Sequence, residues 1–458
     1  MQKKEIHSEN TEVRAENKMG YAPISKLIFS ISLPIMISML VQALYNIVDS
    51  IYVSRLSEEA LSAVSLAFPV QNIMIAVGTG TAVGINAVLS RALGEKDYHT
   101  ANKTANNALF LALASSLVCV LFGLFLTRPY FEALTDIPAI VEYGVQYTEI
   151  VTIVSFGLFG AITAERLLTS TGKTIYTMIT QTTGAVINIV LDPILIFGYL
   201  GLPAMGMAGA AIATVTGQII AMILGLILNT KLNHEIKLDL REMKPDKRII
   251  RKIYQVGIPS IIMASIGSVM NFFMNKILLS FNATATAVFG AYFKLQSFVF
   301  MPVFGMNNGV VPIVAYNYGA RNKERILETR KKAMIYATAI MIVGFAVFQV
   351  FPQVLLGMFN ASEDMLRIGV PAMRYISISF LFAGFCIVSI SVCQALGKGT
   401  YGLYLSLVRQ LFVLLPAAWL LSLTGNLDLV WLAFPIAEIS GVVLSIYFNH
   451  KVMEVVKI

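Results

Sequence analysis

Charge is the scarcest commodity in this sequence. Only 13% of its 458 residues are Asp, Glu, Lys or Arg, against about 25% in a soluble domain, and that excludes the two or three soluble domains that its length alone would suggest. Cysteine is nearly absent, and Cys119, Cys386 and Cys393 all lie inside apolar runs. Neither a disulfide framework nor a zinc site is expected from them. The four histidines, His7, His99, His234 and His450, fall in the tail and in loops, without the spacing of metal ligands. There is no phosphate-binding loop and no Ser-His-Asp set, so an enzyme is not expected and no cofactor is implied. The first 25 residues are polar and charged, and no cleavable signal precedes the first apolar run.

What fills the chain instead is hydrocarbon: 57% of the residues are hydrophobic and the mean hydropathy is +0.73. This is the composition of an all-α polytopic membrane protein lying in a lipid bilayer. A span needs about 20 apolar residues, which predicts helices over 27–53, 61–88, 104–126, 139–164, 174–198 and 206–228. A second set follows over 252–279, 286–314, 333–352, 369–393, 403–424 and 428–449. The first, second, seventh and eighth are longer than a bilayer requires, which predicts tilt or bending. The net charge of +8 resides in short loops, a pattern of membrane topology rather than of nucleic-acid binding. With both termini cytoplasmic, only Arg55, Arg128 and Arg367 fall outside, while Lys276, Lys294, Arg374 and Arg409 sit within spans. The organisation expected is a cytoplasmic tail (1–25), a first lobe (26–228), a charged cytoplasmic linker (229–251), a second lobe (252–450) and a tail (451–458). The linker is too short and too charged for a folded regulatory domain.

The two halves repeat each other. At one gapless shift of 225 residues, Pro34 meets Pro259, Asn46 meets Asn271, Phe68 meets Phe293 and Gln71 meets Gln296. The same shift pairs Gly80, Gly84 and Gly94 with Gly305, Gly309 and Gly319, and still aligns Gly172, Lys173 and Tyr176 with Gly397, Lys398 and Tyr401. One residue is then lost, and Thr214 meets Glu438. An even number of spans separates equivalent helices. The expected fold is therefore twelve transmembrane helices in two pseudo-symmetric six-helix bundles, a parallel repeat about an axis along the membrane normal. Such repeats are characteristic of transporters with the substrate site between the halves.

Where the halves differ, they differ in chemistry. Asp49 corresponds to Met274, Asn188 to Val413 and Asp192 to Ala417. Packing of the bundle does not demand the polar set, since the second half has apolar residues at these places. Intramembrane carboxylates are costly and default to a functional reading. Asn188 and Asp192 are four apart and share one helical face. Pro193 has no amide hydrogen and its ring crowds the Ile189 carbonyl, which frees that oxygen toward a cation or water. These are hard oxygen ligands suited to Na+ or H+. Asp49, if it faces them, forms a carboxylate pair whose repulsion a bound cation relieves.

The segments LPIMISMLVQALYNIVDSIYVSRL, AVSLAFPVQNIMIAVGTGTAVGINAVLSRALGEKD and VLDPILIFGYLGLPAMGMAGAAIATV resemble those of multidrug and toxic compound extrusion (MATE) transporters, over about residues 25–450. The YNIVDS and NIVLDP stretches are most similar to the bacterial branch that contains DinF and MepA. The resemblance implies cation-coupled export of amphipathic, often cationic small molecules from a bacterial plasma membrane by a monomer. It implies that Asp49, Asn188, Asp192 and Thr214 form the coupling-ion site, and it links bending of the first helix, at Pro34, to that ion. Pro259 in the second half equally fits Pro34 as shared architecture.

Candidates for the substrate cleft are Gln42, Tyr45 and Asn46 in VQALYN, Gln71 with its counterpart Gln296, Met274, and Met306 and Asn307 in FGMNNG, together with Glu438. Methionine suits a promiscuous surface, and the chain has 21. Gly80, Gly84, Gly305 and Gly309 form small-xxx-small pairs for close helix contact. The mixed-sign residues of the second half can pair internally or snorkel to the surface. The rival readings are a lipid-linked precursor flippase, which the intramembrane basic residues favour and the span count disfavours, and a membrane enzyme, for which no catalytic cluster is found.

Overall fold

The computed structural model describes residues 16–359 and 361–455; the parts of the expected tails at 1–15 and 456–458 lie outside the described residues. Those residues form helices and no strand. Ten helices are long and apolar enough to cross a membrane, and two bent pairs raise the count to twelve. In chain order they are α1 (Ile24–Ser54), α2 (Glu58–Gly94), α3 (Tyr98–Phe125), α4 (Pro138–Ile153 and Phe156–Ser170), α5 (Thr174–Phe197) and α6 (Gly206–Leu232). The second set is α7 (Lys247–Leu279), α8 (Ala283–Gly319), α9 (Lys323–Val350), α10 (Glu363–Ser377 and Phe380–Ala395), α11 (Gly399–Ser422) and α12 (Leu427–Glu454).

Local chemistry sets the helix ends, and it repeats at the same shift. The Ser57 hydroxyl accepts the Ala60 amide at 3.0 Å to start α2, and Asn282 accepts the Ala285 amide at 2.7 Å to start α8. Asp97 and Asn322 cap α3 and α9 in the same way; each satisfies an amide that has no partner inside the helix. The residues before these caps, Lys96 and Arg321, both take positive φ, 58° and 57°. Short helices at Thr127–Leu134 and Pro352–Gly357 follow α3 and α9.

Two spans expected to be unbroken are bent, α4 by 46° and α10 by 49°. The breaks fall at residues 154–155 and 378–379, where no proline stands. A serine stands at each break: the Ser155 hydroxyl bonds to Ser116 of α3, and that of Ser379 donates to the Ile376 carbonyl at 2.6 Å. Apolar runs continue through both breaks, so hydropathy alone reads straight spans. By contrast α1 passes Pro34, α7 passes Pro259 and α5 passes Pro193 without interruption. A further departure is a π-helical turn at Val408–Leu414 in α11. It precedes Pro416, whose missing amide leaves a carbonyl of that turn without its helical donor.

Across the two halves, α1 packs on α8 and α2 on α7. Glycines make both of these contacts possible, and also the crossing of α2 with α8. A β-carbon on Gly94 would stand 1.9 Å from the Tyr316 carbonyl oxygen, and one on Gly319 would stand 2.1 Å from that of Arg91. Gly80 likewise meets the Ile261 backbone, and Gly305 the Met36 backbone. Tyr316 and Ile261 are the repeat partners of Arg91 and Met36. The contacts are thus reciprocal, which places a pseudo-twofold axis between the halves and along the helices.

On the side that carries the termini, the end of the expected tail is docked rather than free. Lys18–Tyr21 forms one helical turn with Met19 fully buried. Asn17 donates to the Thr171 carbonyl at 3.0 Å and to the Glu235 carboxylate at 2.6 Å. Arg325 and Asn317, both from the second half, donate to the Met19 carbonyl at 3.0 Å, and Arg325 also reaches the Ala22 carbonyl at 2.7 Å. The expected linker is tethered as well: Asn102, Asn106 and Asn107 of α3 accept the backbone amides of Lys237, Asp239 and Asp246.

Candidate ion site and substrate cleft

The first half builds its polar centre on a close helix pair. A β-carbon on Gly217 of α6 would stand 2.6 Å from the Gly184 carbonyl of α5, and one on Gly209 would stand 2.5 Å from that of Leu195. Backbones this near bring Asn188 to Thr214, whose hydroxyl accepts the Asn188 amide at 3.3 Å. One turn along α5, Asp192 has no exposed surface and Asn188 has 3%. Asp49 of α1 stands close enough for its charge to act on Asp192, and Tyr45 feels both carboxylates. Tyr147 of α4 lies beside Asp49 and Thr214, and its hydroxyl accepts from Gln71 at 3.0 Å.

All the unsatisfied atoms of this centre are acceptors. Both carboxylate oxygens of Asp192, Oδ1 of Asp49 and Oδ1 of Asn188 are buried with no hydrogen-bond donor. Leaving such a group unpaired costs about 1–3 kcal/mol, and more when it is charged. A species that supplies positive charge or a proton removes that cost. Two carboxylates, an amide oxygen and a hydroxyl are hard ligands that fit a small alkali cation or a proton. Among the described residues no three His, Cys, Asp or Glu stand together, so the donor set is unlike that of a transition-metal centre. The equivalent positions of the second half are closed by apolar side chains, with Met274 fully buried.

A cavity of ~730 Å³ opens beside this centre, and its wall includes Asp49, Thr214, Gln42, Tyr45, Asn46 and Gln71. Five other candidates from the sequence do not belong to that wall. Met274 and Met306 are core residues at 0% and 3% exposure, because a face that carries a polar group in one half packs as hydrocarbon in the other. Gln296 is half-buried outside the cavity. Glu438 is consumed by an ion pair, described below. Asn307 lines a second cavity of ~390 Å³ toward the other half.

The sequence reading missed Glu165 and Arg166, placing them in a loop after a span that ended at residue 164. The second arm of α4 runs on to Ser170 and carries both into the cleft wall. Glu165 accepts from Gln181 at 2.8 Å. Arg166 reaches across to the second half, donating to Asn308 at 3.4 Å. A small cavity of ~110 Å³ joins Glu165 and Gln181 to Asn188 and Thr214. The signal was present: neither glycine nor proline follows Glu165 until Gly172.

In the second half, the guanidinium of Arg409 lies 3.2 Å from the Glu438 carboxylate, with both side chains mostly buried. Lys276 and Arg374 are exposed, as snorkelling residues are, while Lys294 lines the larger cavity. Breaking a buried pair costs far more than replacing it. Glu438→Leu alone is therefore expected to destabilise the protein by about 3 kcal/mol, and Arg409→Met with Glu438→Leu to be close to neutral. Thermal unfolding of the purified variants checks both expectations.

Comparison with known proteins places these features. The MatE family model matches residues 34–194 and again 259–420, once in each half and in the register of the internal repeat. The multidrug export protein MepA of Staphylococcus haemolyticus (strain JCSC1435) is 28% identical over 441 residues, covering 93% of this chain and 94% of its own length. MepA of Staphylococcus aureus (strain MSSA476) is 24% identical, with 90% of each chain covered. A solved structure described as the outward-facing conformation of a multidrug resistance MATE family transporter of the MOP superfamily superposes with a TM-score of 0.90. It is 25% identical and covers 97% of this chain and 99% of its own.

Proposed function

The chain belongs to the MatE family, and on that premise we propose that it is a multidrug efflux transporter working as a cation-coupled antiporter in a bacterial plasma membrane. Asp49, Asn188, Asp192 and Thr214 take up the entering Na+ or H+. Amphipathic organic compounds load into the cleft between the halves and leave on the opposite side. Both termini lie in the cytoplasm, and one chain suffices for transport.

The observation that carries this reading is the cluster of buried acceptors without donors, confined to one half. A cation that binds there stabilises whichever conformation closes the carboxylates together. A ligand shifts a conformational equilibrium only by its differential affinity for the two states, and a site whose oxygens are unsatisfied in one arrangement supplies that difference. The larger cavity runs from Asp49 to Glu165 and Thr169, so cargo and ion occupy adjoining space and compete for one conformational change. Arg166, bonded to Asn308 across the halves, is part of what that change must break.

The test is efflux of a cationic dye from proteoliposomes, under an imposed Na+ gradient in one set and a H+ gradient in another. Dye movement driven by either gradient, and absent without one, is the expected result. Movement down the dye's own gradient alone, indifferent to both ions, would count against antiport.

A further inference from the structure

The ~390 Å³ cavity at the base of the cleft opens between α2, α4, α7, α8, α10 and α11, and its chemistry is opposite to that of the ion site. Two guanidinium groups reach its wall, Arg166 from the first half and Arg409 from the second. The unsatisfied polar atoms are mostly donors. Arg409 Nε, Asn307 Nδ2 and Asn86 Nδ2 are buried without a partner, and of the acceptors in this wall only Asn307 Oδ1 joins them. Asn86 and Asn307 are 0% and 5% exposed. Asn86 spends its oxygen on Ser90, which leaves its amide hydrogens for the cavity. Arg409 uses one nitrogen on Glu438, and it sits in the π-helical turn of α11, a distortion that recurs at functional sites.

We propose that this cavity binds the carboxylate of an amphipathic substrate, with Arg409 and Arg166 supplying charge and the amides of Asn307 and Asn86 supplying further donors. The inference rests on the reading of the cleft as a substrate route. Each arginine has an acid behind it, Glu438 at 3.2 Å and Glu165 as the neighbouring charge. The two guanidinium charges are thus already balanced by two carboxylates, and what the pocket offers a ligand is directed donors without surplus positive charge, which favours a singly charged carboxylate over a phosphate dianion. A planar two-oxygen group also matches the fork of a guanidinium. Phe304 and Met263 in the same wall receive the apolar part of the ligand.

The experiment compares equilibrium binding of pyrenebutyrate and of its methyl ester to the purified full chain, followed by pyrene fluorescence. The two probes share a ring system and differ in the charged group. The acid is expected to bind the unaltered protein about tenfold more tightly than the ester, the effect of one charge-assisted contact. That ratio should fall severalfold both in Arg409→Met with Glu438→Leu and in Asn307→Leu, each of which removes part of the donor set. The second variant keeps the test decisive if the first fails to fold. Equal affinities for acid and ester in the unaltered protein, or a preference for the acid that survives undiminished in the folded variants, would overturn the proposal. No ion gradient enters this measurement, so its outcome is independent of whether efflux proves to be ion-driven.

Discussion

Asp192→Asn is expected to abolish gradient-driven export while the protein folds and reaches the membrane. Asp192 stands fully buried at the centre of the acceptor cluster, with neither carboxylate oxygen holding a donor. Asparagine keeps the shape and one oxygen but removes the charge. Truncating a buried charge contact costs about 2–5 kcal/mol, which corresponds to about 30-fold to a few thousandfold in ion affinity. Folding should not suffer comparably, because the folded protein loses no hydrogen bond that it has and the repulsion with Asp49 disappears. The checks are efflux from proteoliposomes and a thermal melt on the same preparation. Gradient-dependent efflux at an undiminished rate would move the coupling site elsewhere. An outcome with efflux lost and the melt unchanged assigns the loss to ion coupling rather than to structure.

Much of this molecule was legible in the chain because two signals are strong in it. Apolar runs of membrane length mark the spans, and a repeat without gaps relates Pro34 to Pro259 and Gly94 to Gly319. The polar differences between the halves single out Asp49, Asn188 and Asp192, which the structure brings together. What was hidden lies where local pattern and tertiary environment part company. The bends in α4 and α10 carry no proline at the break and leave no mark in hydropathy, since the apolar runs continue through them. Glu165 and Arg166 look like the edge of a loop until the second arm of α4 is seen to continue past them. Met274 and Met306 sit on helices that face the cleft, yet their own faces are core. A helix can be assigned to a cavity from sequence more readily than a given side of it.

Gly94→Val should force α2 and α8 apart where they cross. The β-carbon alone would lie 1.9 Å from the Tyr316 carbonyl oxygen and 2.9 Å from the Ala320 amide nitrogen. Both are backbone atoms, so no rotamer change relieves the contact and the helices must separate. Effects above about 4 kcal/mol belong to this kind of change. Gly319→Val makes the reciprocal clash with Arg91 and should behave alike, because the pseudo-twofold axis makes the two contacts one feature. Gly290→Val is the control: it places the same residue on α8, where a β-carbon meets nothing within 4 Å. Ser90, one turn from Gly94, is fully buried and donates to the Ser170 carbonyl at 2.8 Å. A cysteine introduced there, in a background without the native cysteines, should resist maleimide in the parent and in Gly290→Val. It should label in Gly94→Val and Gly319→Val, whether the crossing opens to water or the fold is lost, and a thermal melt separates those two results. A reporter that stays protected in both glycine variants would mean that the crossing is not what closes this side of the transporter.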